Sequence, residues 1–387
     1  MASISERALR LRDHCLGGGA WPRELLNDVI RDTATPEGTS AFFAVVIEPL
    51  GDLFEPRLCD VYARLFSEAI GRPELADRYF RVREPRVCVA NPKRVFVLSR
   101  VTIGADVAVT SVVLDAAKRR FPEAEIIFAG PRKNWELFGG DARIGLRETP
   151  YGRTALLADR VAAQPFLGDP DSIVIDPDSR LSQLGLLPVC PRDEDYFLFE
   201  SRSYGGASSR TLADLTSQWM RETFGVADAR PWIAPASWDA PRHDASVSLG
   251  VGENPAKCFD VRFEAKLMSM LPDNTCADLG GSNVEAQRVR SAARREQALF
   301  QGPFARFAAI IRNSGLFIGY DSAAGHAAAA CGVPLIGIFR GAASDRMFER
   351  WKPSGAGVAH VLRADSMDEA STLSAIGSIL EKRRGLG

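Results

Sequence analysis

The sequence predicts an α/β protein: two doubly wound parallel-sheet domains facing a cleft, preceded by a helical extension. Three observations carry this. Strand-like and helix-like runs alternate from Arg94 onward, a stretch with Pro231, Pro235 and Pro241 interrupts them, and the alternation then restarts near Ala245. Two successive blocks of this kind mean two open sheets, each with helices on both faces. The expected division is 1–91, 92–240 and 241–387.

Residues 1–90 read as helical. "RELLNDVIRD" and "LCDVYARLFSEAI" repeat apolar residues at three- and four-residue spacing, with "TATPEGTS" as a turn between them. From Arg94 the pattern becomes "RVFVLSR", a Gly turn, the helical "VAVTSVVLDAAKRRF" and the strand "IIFAG". That is the length of a βαβ unit with a right-handed crossover. "SIVID" is a further buried strand, 191–210 reads as irregular, and "TLADLTSQWMRETFG" reads as a helix stopped by Gly225. The stretch 227–244 reads as an interdomain linker. Beyond it, "ASVSLGV", "VRFEAKLMSML", "TCADLGG", "EAQRVRSAARREQALF", "FARFAAIIRNS", "GLFIGY", "SAAGHAAAACG" and "VPLIGIF" continue the alternation.

The totals exclude several classes. A length of 387 residues favours two or three domains, and a net charge of −1 argues against a nucleic-acid binder. The start, "MASISERALRLRDHC", has charges where an export signal needs an apolar core, and Glu48, Pro49 and Asp52 break the longest apolar run near the start far short of a membrane span. Seven scattered cysteines without CxxC spacing fit reduced cytosolic thiols. The four histidines form no i+3 or i+4 pair, so a zinc enzyme is not expected, and without GxGxxG the dinucleotide fingerprint is absent. No cofactor is expected.

In open parallel sheets ligands bind beyond the carboxyl ends of strands, and three such junctions carry chemistry. After the strand "LFIGY" come Asp321 and Ser322, then a helix of small residues starting at Ala323 and carrying His326 one turn on. Asp or Ser there caps the helix, and the helix's positive end also suits phosphate. "LSRVTIGADVAVTS" places Asp106 near a helix start, with Gly104 before it and Thr110 on the next turn. A carboxylate at this place is either a cap or a general base for a sugar hydroxyl. "LGVGENPAKCFDVRF" places Lys257 ahead of a helix, solvated or clamping a diphosphate. Asp176 and Asp178 in "DPDSR" form an Asp-x-Asp pair, read as a turn around Pro177 ahead of a metal site.

These three junctions, in this order, resemble glycosyltransferase family 9, the ADP-heptose:lipopolysaccharide heptosyltransferases of GT-B architecture with two Rossmann-like domains. "LFIGYDSAAGHAAAACGVPLIGIF" is similar to that family's Asp-Ser/Thr-Gly-x-x-His motif with its Ala-rich helix and Gly-Val-Pro. Asp106 falls at the family's proposed catalytic aspartate and Lys257 at its phosphate-contacting lysine. Three departures stand out: Gly104-Ala105-Asp106 is one residue longer than the family's Gly-Asp, Ala323 replaces a Gly, and Cys258-Phe259 follows Lys257. The resemblance covers roughly 92–387.

The resemblance implies an inverting, metal-independent, cytoplasmic glycosyltransferase of lipopolysaccharide biosynthesis. Its donor would be a nucleotide-diphosphate sugar, ADP-linked by the resemblance alone, and its acceptor a glycan or glycolipid, the latter implying peripheral association with the inner membrane face. Asp106 would be the base; Lys257, Asp321, Ser322, Ala323 and His326 would hold the donor; Thr110 and Gly104 would shape the acceptor loop. The helix 367–383 would pack back across the cleft. Alternatives are a non-catalytic nucleotide- or glycan-binding paralogue, a nucleotide-sugar epimerase and, last, a metal-dependent transferase using Asp176 and Asp178.

Overall fold

In a computed structural model of the chain, residues 2–384 are described, Gly19, Arg153, Thr154, Ser237 and Glu253 excepted. The first sheet holds β1 (Arg94–Leu98), β2 (Glu125–Ala129), β3 (Ile144–Arg147), β4 (Ser172–Asp176) and β5 (Tyr196–Leu198), in the order β3-β2-β1-β4-β5. The second holds β6 (Ala245–Ser248), β7 (Thr275–Asp278), β8 (Ala298–Phe300), β9 (Phe317–Tyr320), β10 (Leu335–Phe339) and β11 (Ala359–Arg363), in the order β11-β10-β9-β6-β7-β8. All the strand pairs are parallel. In both sheets the strand order reverses beside the first strand. The crevices between β1 and β4 and between β6 and β9 are therefore the expected ligand sites.

The alternation in β1 explains the N-terminal helices. Val95 and Val97 face one side of the sheet and share a core with the helices Ser111–Arg120 and Leu212–Phe224. Phe96 and Leu98 face the other side, where Phe42, Tyr62 and Phe66 of the N-terminal helices cover them. Leaving a Phe or Leu bare costs about 1.5–3 kcal/mol, so this second face needs its own layer. The N-terminal helices supply it.

Several elements differ from expectation. The turn expected over 32–39 is confined to its first half, because Pro36 opens a short helix whose first turn Thr35 caps through Gly38 N at 3.1 Å. Helix Asn283–Ala292 stops early, and "ALF" becomes edge strand β8. β5 lies inside the stretch read as irregular. The linker is strapped down: Trp232 donates to Ser111 O at 2.7 Å and packs beside Phe138, while Trp238 meets Phe300 at a tilt. The last helix, Glu369–Arg384, does not cross the cleft; its Ile376 and Leu380 join Phe263 and Leu267 of helix Val261–Ser269 in the core beside the second sheet.

Candidate active site

At the crevice between β6 and β9, the loop after β6 tightens into a turn, Pro255–Lys257, capped by Asn254. Lys257 Nζ donates to Asp321 Oδ2 at 2.5 Å, and Asp321 follows β9 directly. Ser322 is the N-cap residue of helix Ala323–Ala330, but neither it nor Asp321 caps with its side chain. The expected cap is absent, so the first helix amides and the buried Ser322 Oγ have no protein partner among the described residues. His326 lies one turn on, 6% exposed, edge-on to Trp351 at 6.0 Å. Burial pushes its imidazole down to about 4, against the opposing pull of Asp321. It is a neutral hydrogen-bonding group.

The structure thus brings Lys257 to Asp321, 64 residues on, with Ser322 and His326 following on the same helix start. Glu285 tightens the same crevice, accepting from Val251 N at 3.0 Å, Gly252 N at 3.1 Å and Gly281 N at 3.2 Å. The spacing Ser282-x-x-Glu285 announces it as a helix start and says nothing of the loop it holds.

Why the helix after Ser322 is so rich in alanine is answered by packing. Ala324, Ala327 and Ala328 share one core with Val107 and Ala108 of the first domain and Phe307 of the second. A Cβ at Gly104 would stand 3.3 Å from the Ala323 Cα and 3.5 Å from the His326 ring. Small residues let the two domains meet backbone to backbone. Gly104→Val is expected to destabilise the protein by about 1–3 kcal/mol in thermal unfolding, as overpacked cores do, and Gly104→Ala by less.

On the first-domain side the chain after Gly104-Ala105 winds as a π-helical turn, Asp106–Thr110. Here Ala105 lines a pocket and Asp106 points inward. Asp106 is wholly buried; it accepts from Ser99 Oγ at 2.6 Å, Arg100 N at 2.7 Å, Thr110 Oγ1 at 2.6 Å and Asn134 Nδ2 at 2.5 Å. Burial raises its pKa, and the four donors pull it back only in part. A carboxylate so enclosed has no lone pair open to a sugar hydroxyl, so the base role expected for Asp106 does not fit this geometry. Thr110, also wholly buried, serves Asp106 and meets no cleft.

What Asp106 holds is the turn after β1. Val101 has φ 74, a left-handed conformation that strains a β-branched residue. Its N–H donates to Ser99 Oγ at 2.8 Å, and its carbonyl accepts from Asn134 Nδ2 at 3.1 Å. Both partners are bonded to Asp106. The strained turn sends Arg100 outward, where it donates to Pro177 O and Ser201 Oγ, each at 2.7 Å.

Asp176 and Asp178 are likewise structural. Asp176 accepts from Ser179 N and Tyr196 OH, with burial pushing it up to about 6; Asp178 pairs with Arg202 at 3.1 Å. No group of three potential metal-ligating His, Cys, Asp or Glu side chains stands together among the described residues. No described helix is long and apolar enough to cross a membrane.

Between Ala105, Arg100 and the N-terminal helices lies a pocket of about 380 Å³. Asp52, Glu48, Arg180 and Trp351 line it, and sequence reasoning singled out none of them as functional. Their convergence depends on how the N-terminal helices lie on the sheet.

Residues 253–372 match the family model of glycosyltransferase family 9 (heptosyltransferase). Among solved structures, the Escherichia coli heptosyltransferase WaaC with ADP-2-deoxy-2-fluoro heptose is 15% identical, with a TM-score of 0.56 over 75% of this chain and 99% of that one. The glycosyl transferase family 9 protein of Veillonella parvula is 16% identical, with a TM-score of 0.52 over 76% and 91%. The E. coli ADP-heptose lps heptosyltransferase II is 14% identical, with a TM-score of 0.51 over 75% and 99%. No curated protein matches the chain. The two-sheet fold expected from the sequence is borne out, as is the resemblance to this family.

Proposed function

We propose that this chain, a glycosyltransferase carrying a family 9 domain, moves a heptose-like sugar from an ADP-linked donor to a hydroxyl of a glycan or glycolipid, with inversion and without a metal ion. In this reading residues 92–240 form the acceptor side and 241–387 the donor side. The observation that carries it is the Lys257–Asp321 pair at the uncapped start of helix Ala323–Ala330, in the crevice between β6 and β9.

The chemistry follows from the charges. A diphosphate at that helix start meets free backbone N–H groups and the positive end of the helix. Lys257 uses one of its three N–H donors on Asp321 and keeps two for the ligand. Its charge and the helix amides together stabilise the diphosphate as it leaves, the part a divalent cation plays elsewhere. Ser322 Oγ and the neutral His326 hydrogen-bond the donor without adding charge. A glycolipid acceptor would place the protein at the inner face of the membrane from the cytoplasmic side.

The test is calorimetric binding of ADP, UDP, GDP and CMP to wild type and Lys257→Ala without metal. Selective ADP binding is expected, with Lys257→Ala weaker by roughly tenfold to a hundredfold, the scale of a lost charge-assisted contact. Saturation at a hundred times Kd also raises stability by about 2.7 kcal/mol, visible as a thermal shift. Preference for another nucleotide overturns the ADP assignment; no binding at millimolar concentration overturns the donor site. A second reading, a non-catalytic nucleotide-binding relative, draws on the burial of Asp106, and nucleotide binding without any sugar transfer would favour it.

A further inference from the structure

We propose that Asp52, from the N-terminal helices, is the general base that deprotonates the acceptor hydroxyl, an inference that rests on the transferase reading above. The pocket it lines sits at the carboxyl edge of the first sheet, at the crevice between β1 and β4, where Arg100 and Ala105 follow β1 and Asp178 and Arg180 follow β4. Trp351 closes the pocket from the second domain, and the same indole meets the His326 ring at 6.0 Å. Acceptor pocket and donor crevice are therefore neighbours through one side chain.

Three carboxylates line this pocket, and two are already engaged. Glu48 is paired with Arg180 at 3.0 Å. Asp178 is 1% exposed, bonded to Arg202 at 3.1 Å and Ser201 Oγ at 2.8 Å. Asp52 is half-buried and accepts no hydrogen bond from a described residue, so its lone pairs are open to a ligand hydroxyl. At the end of the loop after β1, the position facing the pocket is Ala105, which offers no base.

The segment carrying Asp52 is fixed to the donor side. Phe54, two residues on, accepts from Arg346 Nη1 at 2.6 Å through its carbonyl, and its ring meets Trp351 at 6.4 Å. Burial raises the Asp52 pKa, Glu48 adds to the rise, and Arg180, Arg100 and Arg202 oppose it. A carboxylate lifted above its ordinary range holds a captured proton more firmly, which is what a general base needs.

In the step itself, the acceptor oxygen attacks the anomeric carbon from the face opposite the diphosphate. The new C–O bond forms as the bond to the β-phosphate oxygen breaks, and the electron pair leaves with ADP. The hydroxyl proton passes to the Asp52 carboxylate. Configuration inverts and no covalent enzyme intermediate forms.

The test measures ADP release from ADP-heptose, with water and then excess methyl glycosides as acceptors, between pH 5 and 9. Wild type, Asp52→Asn and Asp52→Glu are compared, with calorimetric ADP binding and thermal unfolding alongside. Asp52→Asn is expected to lower release about a hundredfold or more, with ADP affinity unchanged and unfolding temperature not lowered. Asp52→Glu, one methylene longer, should keep partial activity and an acid limb that Asp52→Asn lacks. Wild-type release from Asp52→Asn overturns the assignment, and so does a wild type that binds ADP-heptose yet releases no ADP to either acceptor. Failure of wild type to bind ADP is a different result: it removes the donor reading on which the assignment rests.

Discussion

Asp106→Ala is expected to lose about 3–5 kcal/mol of stability, the cost of stripping the acceptor from a buried hydrogen-bonded network. Four donors from Ser99, Arg100, Thr110 and Asn134 converge on this one carboxylate. Each donor left unpaired costs about 1–3 kcal/mol, and partial relaxation brings the sum down to that range. The strained Val101 turn adds to the loss, because Ser99 and Asn134 hold it only while Asp106 holds them. Urea unfolding checks the size. Asp106→Asn should lose less, since one oxygen survives while its amide must oppose a former donor. A residue acting only as base would behave differently, losing turnover at unchanged stability. If Asp106→Ala unfolds like wild type, the positioning role assigned to this carboxylate is wrong.

That residue also shows where sequence reasoning reaches and where it stops. The strands at the sheet centres are legible because they are buried on both faces and read as apolar runs, as in "RVFVL" and "LIGIF". The edge strands are not. β8 is mostly exposed and β11 exposed at its start, so their short segments lack the signal of a buried run. The donor side is legible because Asp321, Ser322 and His326 are contiguous in sequence and a strand–helix junction fixes their direction. Lys257 is legible as a lysine in a strand-end loop ahead of a helix, but its pairing with Asp321, 64 residues on, is not. The Asp106 loop is legible in composition yet not in direction: the chain winds there as a π-helical turn, and it is Ala105 that lines the pocket while Asp106 is buried. Asp52 is illegible for a different reason. It reaches the pocket only because the helices of residues 1–82 cover the Phe96 face of the first sheet, a tertiary fact that no local pattern encodes.

The same donor crevice should impose a pH dependence on folding. His326 is neutral in the folded protein, its pKa pushed down to about 4 from 6.5 by burial at the domain contact. Between those values the unfolded chain binds a proton at this residue and the folded chain does not. The stability His326 contributes is therefore fully present above pH 6.5 and is lost progressively as pH falls toward 4. The size is on the order of 3 kcal/mol, each pKa unit being worth about 1.4 kcal/mol. Carboxylates also titrate at the lower end of this window, so the comparison that isolates the imidazole is wild type against His326→Asn. Wild type should lose stability more steeply from pH 7 to 4.5, the two curves converging as pH falls. Parallel curves would mean that His326 is protonated inside the fold. It would then stand beside the diphosphate as a second cation with Lys257, and donor affinity would rise in acid instead of staying flat.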